Sequence, residues 1–216
     1  TEPDAIAETI RPYWDAGFDV RIHSNGDEAQ DATLNALASL RESGADQRFI
    51  IEHGGLFSPD EVRRAGELGA AVSAASHYVF YLGEAYQAAL GPERGAWITP
   101  LASLSAAGVP VALHSDAPLA PPLPLRAASV HLTRATREGG LLTPSERLAP
   151  IEALEAITID AAYALGLEDE IGSIAPGKRA DFTILDANPL ATAGEDWGDI
   201  PVWGVMLGGE KRPLSK

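Results

Sequence analysis

The sequence predicts an α/β fold in which parallel β-strands are covered by helices. After an opening helix, short apolar runs alternate four times with segments of helical character. The 216 residues are 45% hydrophobic and 22% charged, which is enough to bury one sizeable core. At this spacing a doubly wound sheet and a (β/α)8 barrel both fit. No G-x-G-x-x-G follows the first predicted strand, which argues against a dinucleotide-binding sheet.

The first half of the chain carries clear start and stop signals for its elements. Gly17 and Gly44 end two predicted helices, because glycine readily adopts the backbone conformation found just beyond a helix. Ser58, Pro59 and Glu61 form a capping box with proline at the first helical position. The predicted order is helix 3–17, strand 18–23, helix 26–44, strand 48–53 and helix 58–69.

The second half begins with two further strands and ends in a different pattern. The predicted order is strand 70–76, a long irregular stretch, helix 99–108, strand 109–116, a proline-rich loop 117–125, and helices around 126–138 and 151–165. From Gly172 onward, short β-runs are broken by glycine and proline, which predicts a separate β-module. Substrate selectivity is expected to come from the loops at 78–96 and 117–125.

The charge and composition exclude several classes of partner. Sixteen basic and 31 acidic residues give a net charge of -15, so a partner with a phosphate backbone, such as nucleic acid, is not expected. The absence of cysteine excludes thiolate metal sites and leaves imidazole and carboxylate ligands. Neither a membrane span nor a secretory leader is recognised, so a cytoplasmic protein without a membrane partner is expected.

The histidines are placed where parallel strands end. Three of the five follow predicted strands: His23 the first, His53 the second and His114 the fourth, just before Asp116. In α/β barrels the loops leaving the strands converge at that rim and hold the reacting groups. His23, His53 and Asp116 are therefore candidates as a set.

The other candidates leave alternatives open. His77 follows the third strand, where a pocket-lining role and a structural role have equal weight, whereas His131 lies inside a helix and is interpreted as structural. His114 and Asp116 are two residues apart, so they share a face if the strand continues and diverge if it ends. Glu52 is expected to face away from His53 and to have a supporting or structural role. Arg21 falls on the face of His23, and no role is assigned to it.

Several stretches together resemble one family. They are RIHSNGDEAQD, IEHGG, LHSDAP, TIDAAYALGLEDEIGSIAPGKRADFTILDANPL and VMLGGE. The chain resembles the C-terminal half of a metal-dependent amidohydrolase, in the branch that contains N-substituted formamide deformylase. This resemblance implies that residues 1–168 form strands 5 to 8 of a TIM-type (β/α)8 barrel. It also implies that residues 169–216 form part of a flanking β-sandwich domain.

The same resemblance implies a site and a reaction. His23 and His53 would be metal ligands after strands 5 and 6, and Asp116 would be a ligand and the catalytic acid–base after strand 8. His77 and His114 are expected to contact a small-molecule substrate. A divalent metal, with Zn²⁺ expected, would generate a hydroxide that attacks the carbonyl carbon of a non-peptide amide, cyclic amide or formamide.

The chain also departs from the family pattern. It has no H-x-H pair, its three lysines all lie in the predicted β-module, and His114 occupies a position where the family commonly has glycine. These departures indicate a C-terminal fragment. Hydrolysis of an ester or phosphoester, and a non-catalytic fragment without a complete metal site, remain as alternatives. A half barrel would expose strand edges and apolar side chains, so a homodimer is expected.

Overall fold

A parallel β-sheet with helices packed against it forms the main body of the protein. The structure is a computed structural model that describes residues 5–213. Its first sheet has four parallel strands in the chain order β1-β2-β3-β4. The elements of this part are α1 (Ala5–Asp15), β1 (Val20–Ser24), α2 (Asp27–Arg41), β2 (Phe49–His53), α3 (Pro59–Glu67), β3 (Ala71–Ala75), α4 (His77–Phe80), α5 (Gly83–Gly95), α6 (Leu101–Ala106), β4 (Val111–His114), α7 (Pro124–Thr133), α8 (Pro150–Ala156) and α9 (Ile159–Leu165). The predicted α/β class with parallel strands is confirmed.

The two faces of this sheet differ in chemistry. Phe49, Ile51 and Val72 point toward the helices and lie in one core cluster with apolar residues of α2, α3 and α6, such as Leu37 and Leu104. Because side chains alternate along a strand, the residues between them face the opposite way. That second face carries Arg21, His23, Glu52, Ser73 and His114. The sheet therefore has one apolar face and one face with many polar groups.

Local capping signals were sufficient to position some helices. At the start of α3, the Ser58 hydroxyl accepts from the Glu61 amide, and the Glu61 carboxylate accepts from the Ser58 amide. This capping box was predicted, and its acids in the first turn also suit the positive end of the helix dipole.

Three predicted elements differ from those observed. The stretch between β3 and α6 was expected to be irregular, yet it forms α4 and α5, the latter containing a kink at Gly91. The helix expected around 126–138 ends at Thr133, because Arg134 adopts a left-handed conformation with φ of 60°. The single helix expected over 151–165 is two helices, α8 and α9, with Ile157 and Thr158 between them.

A small antiparallel sheet follows α9. It consists of β5 (Phe182–Leu185), β6 (Val202–Leu207) and β7 (Glu210–Pro213), paired in that order. Between β5 and β6, a helical segment at 194–199 packs along α7, and its Trp197 is fully buried in the main core cluster. The predicted division after residue 168 stays a prediction, but the core extends across it.

One stretch of the C-terminal part has a deceptive sequence spacing. Gly172, Gly177 and Lys178 match the spacing G-x-x-x-x-G-K of a phosphate-binding loop. Such a loop requires a strand before it and a helix after it. Here an irregular stretch leads into β5 instead, so a phosphate-binding role is not supported. Within residues 5–213, none of the helices is long and apolar enough to cross a bilayer.

Candidate metal centre

Three potential ligand groups converge at the carboxyl ends of β2 and β4. His53 is the last residue of β2, His114 is the last residue of β4, and Asp116 follows two residues later. One ligand atom from each of these side chains lies within 4.8 Å of the other two. The parallel strands bring these groups together because their carboxyl ends share one edge of the sheet.

Two of these residues have an unusual backbone conformation. His53 has φ of 79° and Asp116 has φ of 51°, both in the left-handed region that non-glycine residues rarely adopt. Such conformations cost roughly 1–3 kcal/mol and cluster at functional sites. By strict alternation His53 would point to the helix side with Ile51. The left-handed turn instead places its side chain near Asp116 and His114.

Two glycines after His53 make this turn possible. Gly54 is also left-handed, with φ of 55°, and a Cβ there would lie 2.9 Å from the Val72 side chain. Gly55 lies directly against the Asn25 side chain, where a Cβ would overlap the amide oxygen. The Leu56 amide then donates to the Asn25 carbonyl over 2.8 Å, which ties the loop after β2 to the loop after β1.

The donor atoms have the character expected of metal ligands. His53 Nδ1 and His114 Nε2 are both buried and have no hydrogen-bond partner among the described residues, and His53 Nδ1 lies 3.9 Å from Asp116 Oδ2. Buried polar atoms without partners are unfavourable unless something binds them. Two imidazoles and a carboxylate fit a divalent ion such as Zn²⁺. This set of residues therefore fits the group that the family resemblance implies.

The protonation of His53 also suits ligation. Burial lowers the pKa of His53, and the neighbouring His114 and His23 lower it further, although Asp116 and Glu52 act in the opposite direction. The neutral imidazole is therefore the favoured form near neutral pH, and it is the form that binds a metal.

His23 lies beside this cluster but is not part of the compact group. Its ring centroid is 4.5 Å from that of His53, with the rings edge to face. The His23 side chain is exposed on the polar face of the sheet. It does not belong to the group of His53, His114 and Asp116, whose ligand atoms lie within 4.8 Å of one another. His114, predicted as a substrate contact, supplies the second imidazole of that set. The assignment of His23 as a ligand stays a prediction.

The sequence did not reveal the position of Glu52. It was expected to face away from the site, but its carboxylate lies 3.9 Å from His114 Nε2. Its other oxygen accepts from Arg21 Nη1 at 2.8 Å, which accounts for the arginine on this face. The expectation was wrong because it assumed that His53 follows the strand alternation. Glu52 keeps that alternation, and the left-handed His53 does not.

Aromatic residues of α4 form a wall beside the cluster. Tyr78 approaches the His53 ring edge-on at 6.2 Å and stacks on Tyr86 of α5 at 6.1 Å. His77 is buried, burial lowers its pKa, and its Nδ1 has no partner among the described residues. His131 is fully buried inside α7, where burial holds its pKa well below the usual value. Of the two, only His77 adjoins the cluster.

These features define a parallel α/β sheet with potential metal ligands at the carboxyl ends of its strands. The chain belongs to the amidohydrolase family, whose sequence model matches residues 1–211. It is 31% identical over 198 residues to N-substituted formamide deformylase of Arthrobacter pascens, covering 91% of this chain and 36% of that protein. It is 32% identical over 191 residues to Protein LONG AFTER FAR-RED 3 of Arabidopsis thaliana, covering 87% of this chain and 33% of that protein.

The chain is also similar to solved structures of metal-dependent hydrolases. An uncharacterized metal-dependent hydrolase from Pyrococcus furiosus aligns with a TM-score of 0.74 and 29% identity, over 88% of this chain and 38% of that one. A second uncharacterized metal-dependent hydrolase, from Pyrococcus horikoshii OT3, aligns with a TM-score of 0.76 and 25% identity, over 90% of this chain and 39% of that one. The chain spans about a third of the length of the curated relatives described above.

Proposed function

We propose that this chain forms the C-terminal part of a metal-dependent hydrolase that cleaves C–N bonds in small non-peptide amides, cyclic amides or formamides. The convergence of His53, His114 and Asp116 within 4.8 Å is the observation that carries the proposal. Family membership and the similarity to N-substituted formamide deformylase support the choice of a C–N bond. This chain covers only 36% of that deformylase and 38% of the Pyrococcus furiosus hydrolase. This coverage supports the proposal that residues outside this chain complete the barrel.

Each residue has a proposed role. His53, Asp116 and the predicted ligand His23 would hold a divalent ion, with Zn²⁺ expected, and His114 is a further nitrogen donor within reach. When bound, such an ion supplies Lewis-acid activation of water and of the substrate carbonyl. The Asp116 carboxylate would accept the proton from the attacking water and return it to the leaving nitrogen. The partly exposed position of this carboxylate gives a substrate access to it.

A metal titration tests the ligand set without requiring activity. We expect isothermal titration calorimetry to show one Zn²⁺ bound per chain. His53→Gln and Asp116→Asn should each weaken that binding by at least tenfold, because each removes a donor atom. Asp46→Asn is a control, since that carboxylate is exposed and is not in the ligand set. Equal Zn²⁺ affinity for all four proteins would contradict the proposed centre.

A substrate panel tests the bond that is cleaved. The longer protein that contains this chain should hydrolyse formamides or cyclic amides faster than carboxylic esters and phosphoesters of similar size. Hydrolysis of phosphoesters alone would favour the alternative reaction and contradict cleavage of C–N bonds. Metal binding without turnover of any substrate would favour the non-catalytic alternative.

A further inference from the structure

An apolar cleft opens beside the candidate metal centre. One wall is the proline-rich segment 117–122, and the opposite wall is formed by Tyr81 and Leu82, which follow α4. Arg137 lies at its edge and is the one charged residue lining it in the described part of the chain. The cleft is thus an apolar surface with a single cation.

Both walls of the cleft start from the candidate metal centre. The segment 117–122 follows Asp116 directly, and the Leu119 amide donates to the Asp116 carbonyl at 2.9 Å. The opposite wall continues from α4, whose Tyr78 contacts the His53 ring edge-on. A molecule reacting at the centre therefore has this cleft as its adjoining surface.

The wall formed by segment 117–122 exposes apolar side chains to solvent. Leu119 is 62% exposed although it lies among prolines and two alanines that also line the cleft. Contiguous apolar surface that is exposed in this way commonly marks a binding site. An apolar group of a ligand would remove that surface from water, which is favourable in proportion to the area covered.

The position of Arg137 is fixed by its backbone. It lies on a tight turn in which the Thr136 amide donates to the Gly140 carbonyl at 3.0 Å. The Glu84 carboxylate of α5 accepts from the Thr136 hydroxyl and the Gly140 amide, which anchors the turn. The Arg137 amide donates to the Phe80 carbonyl at 2.8 Å, which joins the turn to the cleft wall.

The Arg137 guanidinium is available to an anion. It lies 5.6 Å from the centre of the Tyr81 ring, and its ion pair is with the adjacent Glu138 at 2.9 Å. Both side chains of that pair are exposed, at 59% and 41%, so the pair contributes little stability and is easily exchanged. A ligand carboxylate held over the apolar wall could replace Glu138, because guanidinium groups bind carboxylates with two parallel hydrogen bonds.

We infer that this cleft binds the non-reacting end of the substrate, and that this end is an apolar chain or ring bearing a carboxylate. The inference rests on the proposed function in one respect, which is that the reaction takes place at the candidate metal centre. The binding of a ligand in the cleft does not depend on it. It assigns Leu119 to the apolar part and Arg137 to the anionic group. Both residues are specificity determinants rather than catalytic residues.

Ligand-observed NMR titration of the metal-free chain, in the presence of a chelator, tests this inference. Hexanoate and its neutral analogue hexanamide are the probes, and hexanoate should bind more tightly. Arg137→Gln should weaken hexanoate binding by roughly fivefold and leave hexanamide within twofold, because only the charged contact is lost. Glu138→Gln should strengthen hexanoate binding by about twofold, because the competing carboxylate is removed.

The apolar contact has a matched control. Leu119→Ser should weaken both probes by roughly fivefold, since both lose the same apolar contact. Leu165→Ser is the control, because Leu165 is also 62% exposed but lies on α9 outside the cleft, and it should change neither affinity. Circular dichroism checks that each variant is folded.

Distinct outcomes separate this inference from the proposed function. No binding of hexanoate to the chain, or equal binding by all the variants, would overturn the inference even if Zn²⁺ binds as proposed. Selective loss of hexanoate with Arg137→Gln would support it even if no C–N bond were hydrolysed. If Leu119→Ser fails to fold, the opposite effects expected for Arg137→Gln and Glu138→Gln still decide the result.

Discussion

Arg21 and Glu52 form an ion pair across β1 and β2, with Arg21 Nη1 2.8 Å from Glu52 Oε1. The second oxygen of Glu52 lies 3.9 Å from His114 Nε2. Glu52 therefore stands between a cation on the first strand and an imidazole at the end of the fourth. A carboxylate this close to His114 Nε2 adds negative charge beside a donor atom, which favours a bound cation there. Glu52 is thus placed to strengthen cation binding at the centre through its charge.

Substitution of Glu52 should weaken metal binding without removing a ligand of the compact set. We expect Glu52→Gln to lower Zn²⁺ affinity by roughly tenfold, because the negative charge beside His114 Nε2 is lost. Calorimetric titration measures this directly. Glu67→Gln is the control, since Glu67 pairs with Arg63 on the exposed surface of α3. Unchanged Zn²⁺ affinity in Glu52→Gln would rule out this electrostatic role.

Substitution of Asp116 should reduce turnover in the longer hydrolase of which this chain is proposed to be the C-terminal part. Asp116→Asn keeps the shape of the side chain but removes the proton acceptor, and acid–base assistance contributes roughly 10²- to 10⁴-fold in rate. We expect kcat to fall by at least that factor. Steady-state kinetics with the metal content measured in parallel provide the check. A near-normal kcat in a fully metal-loaded variant would show that the assigned role is wrong.

The 216-residue chain alone should have negligible amidase activity. It contains no H-x-H pair and no lysine within its parallel-sheet region, so only part of the family's ligand pattern is present. A formamide hydrolysis assay on the purified chain with added Zn²⁺ tests this. Robust turnover that a chelator abolishes would contradict the proposal that this chain is only the C-terminal part of the enzyme. It would indicate that the chain alone holds a complete metal site.

The chain should self-associate as a dimer. In the described residues β1 has one strand partner, β2, and a groove with apolar lining from Ile6, Ile10 and Ile22 lies beside it. Uncovered strand edges and apolar grooves favour a second copy. We expect light scattering to give twice the mass of one chain. Ile6→Asp should restore the monomer, whereas Ile174→Asp, on an exposed residue outside the groove, should not.

The Arg48–Glu168 ion pair should make stability depend on pH. Burial raises the pKa of Glu168, but the hydrogen bond and charge of Arg48 outweigh it, so the pKa is lowered overall. The ionised form therefore stabilises the fold. The contribution is complete above the unfolded-state pKa of about 4.3 and is lost as pH falls through the lower folded-state value.

Urea unfolding at two pH values measures this contribution. Glu168→Gln should cost roughly 1 kcal/mol at pH 7, since solvent partly screens the pair, and clearly less at pH 3. The ion pair links parts of the chain that are far apart in the sequence, because Arg48 also donates to the Tyr163 carbonyl. Glu170→Gln is the control, as its contact with Arg179 is longer and exposed. The same cost at both pH values would refute the assignment.

Much of the fold was predictable because it depends on local patterns. The short apolar run in Phe49–His53 specifies a strand, and the capping box at Ser58 and Glu61 specifies where α3 begins. Both signals act through neighbours a few residues apart, so they can be read without the tertiary structure. For the same reason the sequence placed His53 and His114 at the ends of strands.

The sequence by itself determined the alternation of strands and helices and the strand ends that carry the histidines. Only the tertiary structure decided which of these groups meet. The left-handed backbone at His53 reverses the direction that alternation assigns to its side chain, and the burial of Trp197 brings together residues that are distant in the sequence. Such features are fixed by contacts between elements rather than by local periodicity. They therefore become visible only when the chain is folded.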